Sequence, residues 1–156
     1  MVFINSIIVV VIGVLFKKLI ITYSKSISNI YMITRIIEAV LLLLGAIFLY
    51  INEIVDTSFQ ENFFVNINKL TYNLGMGTLG FGSIILFSFC LKLLIFPKWL
   101  SIWGIIGYFL LVIGSLLDIL SINISMYFLI PGGIFEIVFS LWLFIKGFGY
   151  NMTKLT

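Results

Sequence analysis

The stretch YMITRIIEAVLLLLGAIFLYIN, residues 31–52, decides the fold class. Its only charges are Arg35 and Glu38, one helical turn apart, and almost everything else in it is apolar. A hydrocarbon core about 30 Å thick needs about 20 residues of helix at about 1.5 Å each, so this run has the length of one bilayer crossing. It is too long for a buried strand and lacks the alternating polar face of a porin-type barrel. Four further runs of the same kind lie around it. Residues 2–16 form a short one stopped by Lys17 and Lys18, and residues 71–96, 99–120 and 125–145 form the others. The sequence therefore predicts an all-α, polytopic transmembrane helix bundle with five spans.

Composition agrees. The 156 residues are 62% hydrophobic and 10% charged, against about 45–50% and about 25% in ordinary globular domains, and the mean hydropathy is +1.27. With no histidine and one cysteine, Cys90, the chain can build neither an internal disulfide framework nor a His/Cys metal site nor an imidazole base. No nucleophile, acid–base pair or metal cluster converges in the sequence, so no enzyme activity, cofactor or metal is expected. The net charge of +3 is a topology signal and does not indicate nucleic acid. Lys17, Lys18, Lys25, Lys92, Lys98, Lys146 and Lys154 fall on one side of the spans, whereas Lys69 falls on the other with Glu53, Asp56 and Glu61. By the excess of lysine in cytoplasmic loops, the N-terminus lies outside and the C-terminus in the cytoplasm. Trp99, Trp103, Trp142, Tyr23, Tyr31 and Tyr150 then fall near the inner interface and Tyr50, Tyr72 and Tyr127 near the outer one. Tyr108 alone lies well within a span.

The outer segment 55–69 is the longest connection. Ser58 and Glu61 have the spacing of a capping box, and Phe59, Phe63, Ile67 and Leu70 recur at helical intervals, which predicts a short interfacial helix over 58–68; the alternative is a third span that begins early and protrudes. No linker separates a second domain, so residues 1–156 read as one transmembrane domain. A signal peptide fits the first span poorly, because its lysines flank the wrong end and no small-x-small cleavage pattern follows.

Small and polar residues inside spans prefer helix interfaces to lipid. Arg35, Glu38, Leu42, Gly45, Leu49 and Asn52 share one stripe of the second span; Gly104, Gly107, Leu111, Gly114 and Asp118 share one of the fourth; Gly132, Glu136 and Ser140 share one of the fifth, with Gly133 beside them. These faces predict the packing of the bundle. Gly75, Gly77 and Gly80 spell G-x-G-x-x-G, but no strand precedes them and no acidic residue follows at the required distance, so they read as helix-packing glycines together with Gly82 and Ser83. Asp118 reads as solvated near the outer end of its helix, and Cys90 as a small packing residue.

Three charges remain inside spans. Arg35 and Glu38 can neutralise one another, or serve as a clamp or functional site. Glu136 lies near the middle of its helix, where a lone ionised carboxylate costs several kcal/mol. Pro131, Gly132 and Gly133 just before it are expected to open the helix and free backbone groups, as in transporter substrate sites. A dry salt bridge between Glu136 and Arg35 would mean a packing role, and a water-filled cavity at Glu136 would mean transport.

The run 34–40 (TRIIEAV), the run 96–101 (FPKWLS) with Trp103-Gly104-Ile105-Ile106-Gly107, and the ending 131–136 (PGGIFE) through 141–148 (LWLFIKGF) resemble the bacterial membrane family called domain of unknown function 4386. The resemblance covers the chain from the first span to Phe148 and implies a multi-helix protein of the bacterial cytoplasmic membrane with no established activity. It also implies one further hydrophobic helix ahead of residues 2–16, so that either the chain is trimmed or its start lies upstream. Two functional classes follow. One is a structural or regulatory helix-bundle protein, acting through contacts with lipid and with other membrane proteins or a second copy. The alternative is a small transporter or proton-coupled carrier using Glu136, with Arg35 and Glu38, beside the Pro/Gly break.

Overall fold

The computed structural model describes residues 2–54, 58–122 and 125–146. Five helices follow one another: α1 (Val2–Ile20), α2 (Lys25–Ile54), α3 (Ser58–Leu93), α4 (Lys98–Ile119) and α5 (Ser125–Lys146), with no strand among the described residues. Four of them, α2 to α5, are long and apolar enough to cross a membrane, which is the make-up of a multi-pass membrane protein. Large apolar side chains face outward from every helix, among them Ile33, Phe81, Ile106, Phe109 and Ile137. Water would oppose such a surface, and acyl chains accept it.

Helix ends differ from the sequence expectation where charges had been taken as stops. Helix α1 runs four residues past Phe16, carrying Lys17 and Lys18 in its last turn, where cations favour the negative end of the helix dipole. Helix α2 starts well before Tyr31, because the Ser24 hydroxyl accepts the Ile27 N–H at 3.4 Å and so caps the first turn. The interfacial helix expected at 58–68 is not separate: α3 is a single helix of 36 residues, roughly 54 Å at about 1.5 Å per residue. Neither proline nor glycine lies between Ser58 and Leu74 to interrupt it, so the third helix begins early, as the alternative had it. The α3–α4 turn is closed by the Ile95 N–H donating to the Cys90 carbonyl at 3.1 Å, with Leu94 in the left-handed region at φ 55°. That is a Schellman ending, which usually employs glycine.

Each helix packs against its neighbours in sequence, α1 on α2, α2 on α3, α3 on α4 and α4 on α5. Between lipid-soluble helices there is no hydrophobic drive, and close backbone approach supplies the attraction. Small residues permit it here. Gly13 lies against the Arg35 side-chain stem, Gly82 against Thr34, and Gly107 against Gly132. The predicted stripes of α2 and α4 are buried at Arg35, Glu38, Leu42 and Gly45 and at Gly104, Gly107, Leu111 and Gly114. The stripe of α5 is divided: Gly132 is buried while Glu136 and Ser140 are exposed.

Helices α1 and α5 approach one another through side chains. Among the described residues no α1 Cα lies within 8 Å of an α5 Cα, and the two ends of the row meet through side chains such as Phe16 and Phe139, whose rings are 6.1 Å apart. An aromatic core knits the Lys98 end of the bundle, with Phe87 edge-on to Phe135 and Phe139, and Phe96 edge-on to Phe139, all at 5.2 Å. Such ring pairs contribute about 0.5–1.5 kcal/mol each beyond their burial.

Candidate functional site

Arg35 and Glu38 sit on consecutive turns of α2, and the pair forms as the spacing predicts. The Arg35 Nη1 donates to Glu38 Oε2 at 2.8 Å, with both side chains almost wholly buried. The Arg35 Nε donates to the Tyr31 hydroxyl at 2.9 Å, and the guanidinium carbon stands 5.1 Å from the Tyr31 ring centroid. Tyr31, Arg35 and Glu38 therefore form one local unit on a single helix face, held by a charge-assisted bond and a cation–π contact. Tyr31 is consequently a core residue at 3% exposure.

Glu136 does not join that pair. Its Oε1 accepts the Tyr108 hydroxyl at 3.2 Å, and among the described residues no basic side chain lies within ion-pair distance of it. The residue lies eleven positions after the first residue of α5 and ten before the last, roughly 15 Å from either end. Helix α5 runs unbroken through Pro131, so the opening expected at Pro131, Gly132 and Gly133 is absent. The three residues do separate work instead. Pro131 costs one backbone hydrogen bond within the helix, Gly132 seats α5 on α4 at Gly107, and Gly133 faces open space with nothing within 4 Å of an added Cβ.

That open space is a cleft of about 690 Å³ between α1 and α5, within the range of about 300–1,000 Å³ usual for small-ligand sites. Asn5 of α1, Tyr31, Arg35 and Glu38 of α2, Tyr72 of α3, Tyr108 of α4 and Glu136 of α5 all line it, so five helices contribute and the three in-span charges converge. Its walls are mainly apolar, including Ile8, Ile12, Leu79, Leu129 and Phe139, with Asn5 and Ser140 adding polar groups. Sequence reasoning named the three charges and overlooked the two tyrosines that position two of them. Tyr108 carried a signal, as the one tyrosine well inside a span.

Asp118 is not simply solvated. It pairs with Lys69 at 3.2 Å and accepts Asn73 Nδ2 at 2.6 Å, latching α3 to α4 away from the cleft. The physical reason is the early start of α3, which carries Lys69 and Asn73 alongside the end of α4.

A family model described as "Domain of unknown function (DUF4386)" matches residues 1–147. The chain belongs to that family. No curated protein and no solved structure matches. The family match takes in every helix described above, so the cleft and its charges lie wholly inside the family's domain.

Proposed function

We propose that this family member is a small membrane carrier in which Glu136 is the proton- or cation-binding group of the α1–α5 cleft. The single observation that carries the reading is that Glu136 lines a ligand-sized cleft and is bonded to a neutral tyrosine, while Arg35 spends its charge on Glu38. An ionised carboxylate at that depth in lipid costs several kcal/mol, and taking up a proton or a cation relieves the cost. Reversible relief of that kind is what couples a carrier to a gradient. In this reading α1, at 19 residues, is a fifth span. The N-terminus then lies outside and the C-terminus in the cytoplasm of a bacterium, as the lysine distribution supports.

A structural or regulatory role would rest on the packed faces of α2 and α4 and would leave Glu136 idle. The two readings separate in proteoliposomes under an imposed pH gradient, with interior pH followed by a trapped dye across a panel of polar and lipophilic cations. The carrier reading expects a cation-dependent proton flux that Glu136→Gln lowers at least about tenfold, an effect equal to about 1.4 kcal/mol or more. No flux across the panel, or a flux indifferent to Glu136→Gln, would overturn it.

A further inference from the structure

Helix α4 spans the hydrocarbon with a charge at each end. It begins at Lys98 and carries Asp118 in its last turn, and the rise between the two is about 30 Å, the thickness of the acyl-chain layer. Contacts carry the Asp118 level across to the neighbouring helices. Asp118 pairs with Lys69 at 3.2 Å, so the edge crosses α3 near Lys69. Gly45 packs against Asn68 and Thr71, so the edge crosses α2 near Gly45. Lys25, the first residue of α2, then stands about 30 Å from Gly45, in agreement with the same thickness. These levels rest on α2, α3 and α4 alone, and they hold wherever the chain begins.

Past that edge α2 continues to Ile54, and α3 starts back at Ser58. About 14 Å of one helix and about 16 Å of the other therefore rise out of the hydrocarbon, and headgroups cover only about 5–7 Å of that height. The Phe48–Phe64 stack, with ring centroids 6.3 Å apart, joins the two helices there. Tyr50, Ile54 and Phe63 are each more than 60% exposed, with Ile47 and Val65 somewhat less so. Acyl chains do not reach the far part of this projection, and apolar side chains gathered at an aqueous surface mark contact with another molecule.

We propose that the α2–α3 projection docks a basic polypeptide with an apolar face. Charge selects this occupant. Of the six acidic residues, Glu53, Asp56 and Glu61 fall within residues 46–68, and no lysine or arginine does. A second copy in the same membrane would present the same acidic stretch at the same height, and anionic headgroups would be repelled likewise. Lysine or arginine flanking an apolar stripe complements both features.

Neither arm of the test involves Glu136, so the carrier reading stands or falls separately. In nanodiscs of zwitterionic lipid, a sulfonated maleimide is offered to Ile54→Cys, Phe63→Cys and the mid-span Phe109→Cys, the native Cys90 being fully buried. Labelling of the first two alone is expected. Protection of all three, or labelling of all three, overturns the edge near Gly45 and Lys69. A disulfide-linked dimer of Ile54→Cys makes a second copy the occupant and overturns the basic partner.

In the second arm a fluorescent amphipathic helix of leucine and lysine is titrated, with empty nanodiscs giving the lipid background. Its competitors are a leucine–glutamate peptide of the same pattern and a serine–lysine peptide without the apolar face. Saturable binding above background is expected, with neither competitor displacing the probe. Ile54→Ser/Phe63→Ser is expected to weaken it about tenfold or more, as loss of large apolar contacts does. Glu53→Gln/Glu61→Gln is expected to weaken it about threefold at low salt and less as salt rises. Equal binding in wild type and both variants overturns the site. Displacement by the leucine–glutamate peptide overturns the selection by charge, and displacement by the serine–lysine peptide overturns the apolar contact.

Discussion

Gly132 and Gly133 are adjacent in the chain and look out on opposite surroundings. A Cβ on Gly132 would meet the Gly107 carbonyl oxygen at 3.2 Å, whereas one on Gly133 would meet nothing within 4 Å. One step of about 100° around α5 separates a closed seam from an open one. On the closed side, α4 and α5 touch backbone to backbone. On the open side, α5 faces α1 across the cleft, and Glu136 there is satisfied by the Tyr108 hydroxyl of α4 and not by a charge. Glycine on the closed side is a packing device, and on the open side it leaves room. The charges around the cleft differ too, since Arg35 and Glu38 are consumed by each other, whereas Glu136 is bonded to the neutral Tyr108 hydroxyl.

The largest test of this division is Arg35→Ala. It would strand the Glu38 carboxylate, whose side chain is 3% exposed, without its partner and would remove the donor to Tyr31. Breaking one side of a buried pair typically costs about 3–5 kcal/mol. The expected outcome is a large fall in the unfolding midpoint of the detergent-purified protein, with Arg35→Ala/Glu38→Leu recovering much of it. If Arg35→Ala unfolds at the wild-type temperature, the pair does not hold the bundle together.

Next in size is the glycine contrast itself. Gly132→Ala pushes a methyl against the Gly107 backbone, which cannot swing aside as a side chain can, and is expected to lower stability by about 1–3 kcal/mol, as overpacking does. Gly133→Ala adds the same methyl to open space and gains helix propensity, so stability is expected to rise by about 0.5–1 kcal/mol. Paired thermal melts read the sign directly. Two losses of equal size would mean that α1 closes on α5 and that the cleft is not open in the membrane.

The closed side was the legible side. Stripes at intervals of three and four on α2 and α4 named Gly45, Gly104, Gly107 and Gly114 as interface residues because the periodicity of a helix is local, and Arg35–Glu38 was readable for the same reason. The open side was not, because nothing local says that α1 and α5 approach through side chains such as Phe16 and Phe139 without close backbone contact. The stripe on α5 predicted one interface for Gly132, Glu136 and Ser140, whereas α5 presents Gly132 to α4 and the other two to the cleft. Pro131 and its glycines were read as a break because proline removes a backbone donor; the helix continues, and the glycines serve its neighbours instead. The partners of Asp118 lie 45 or more residues away in sequence, across a turn whose geometry rests on how early α3 begins.

The Asp118 latch provides the smallest test, at the margin of the closed side. Its side chain is 33% exposed and that of Lys69 is 42% exposed, so solvent and salt screen the ion pair, and such pairs contribute about 0–1 kcal/mol. Asp118→Asn removes the charge while keeping an amide oxygen for Asn73 Nδ2, isolating the ionic part from the hydrogen bond. The expected result is a loss of at most about 1 kcal/mol at low salt that shrinks toward zero near 1 M salt, where the screening length falls to about 3 Å. Asp118→Ala also removes one of the two acceptors of Asn73 Nδ2, leaving the Lys69 carbonyl at 2.9 Å, and should cost more, with a remainder that salt does not remove. A loss on Asp118→Asn that persists unchanged at high salt would mean that the α3–α4 seam depends on this end as much as on its glycines. The closed side would then be held by polar contacts at its rim as well as by backbone approach within it.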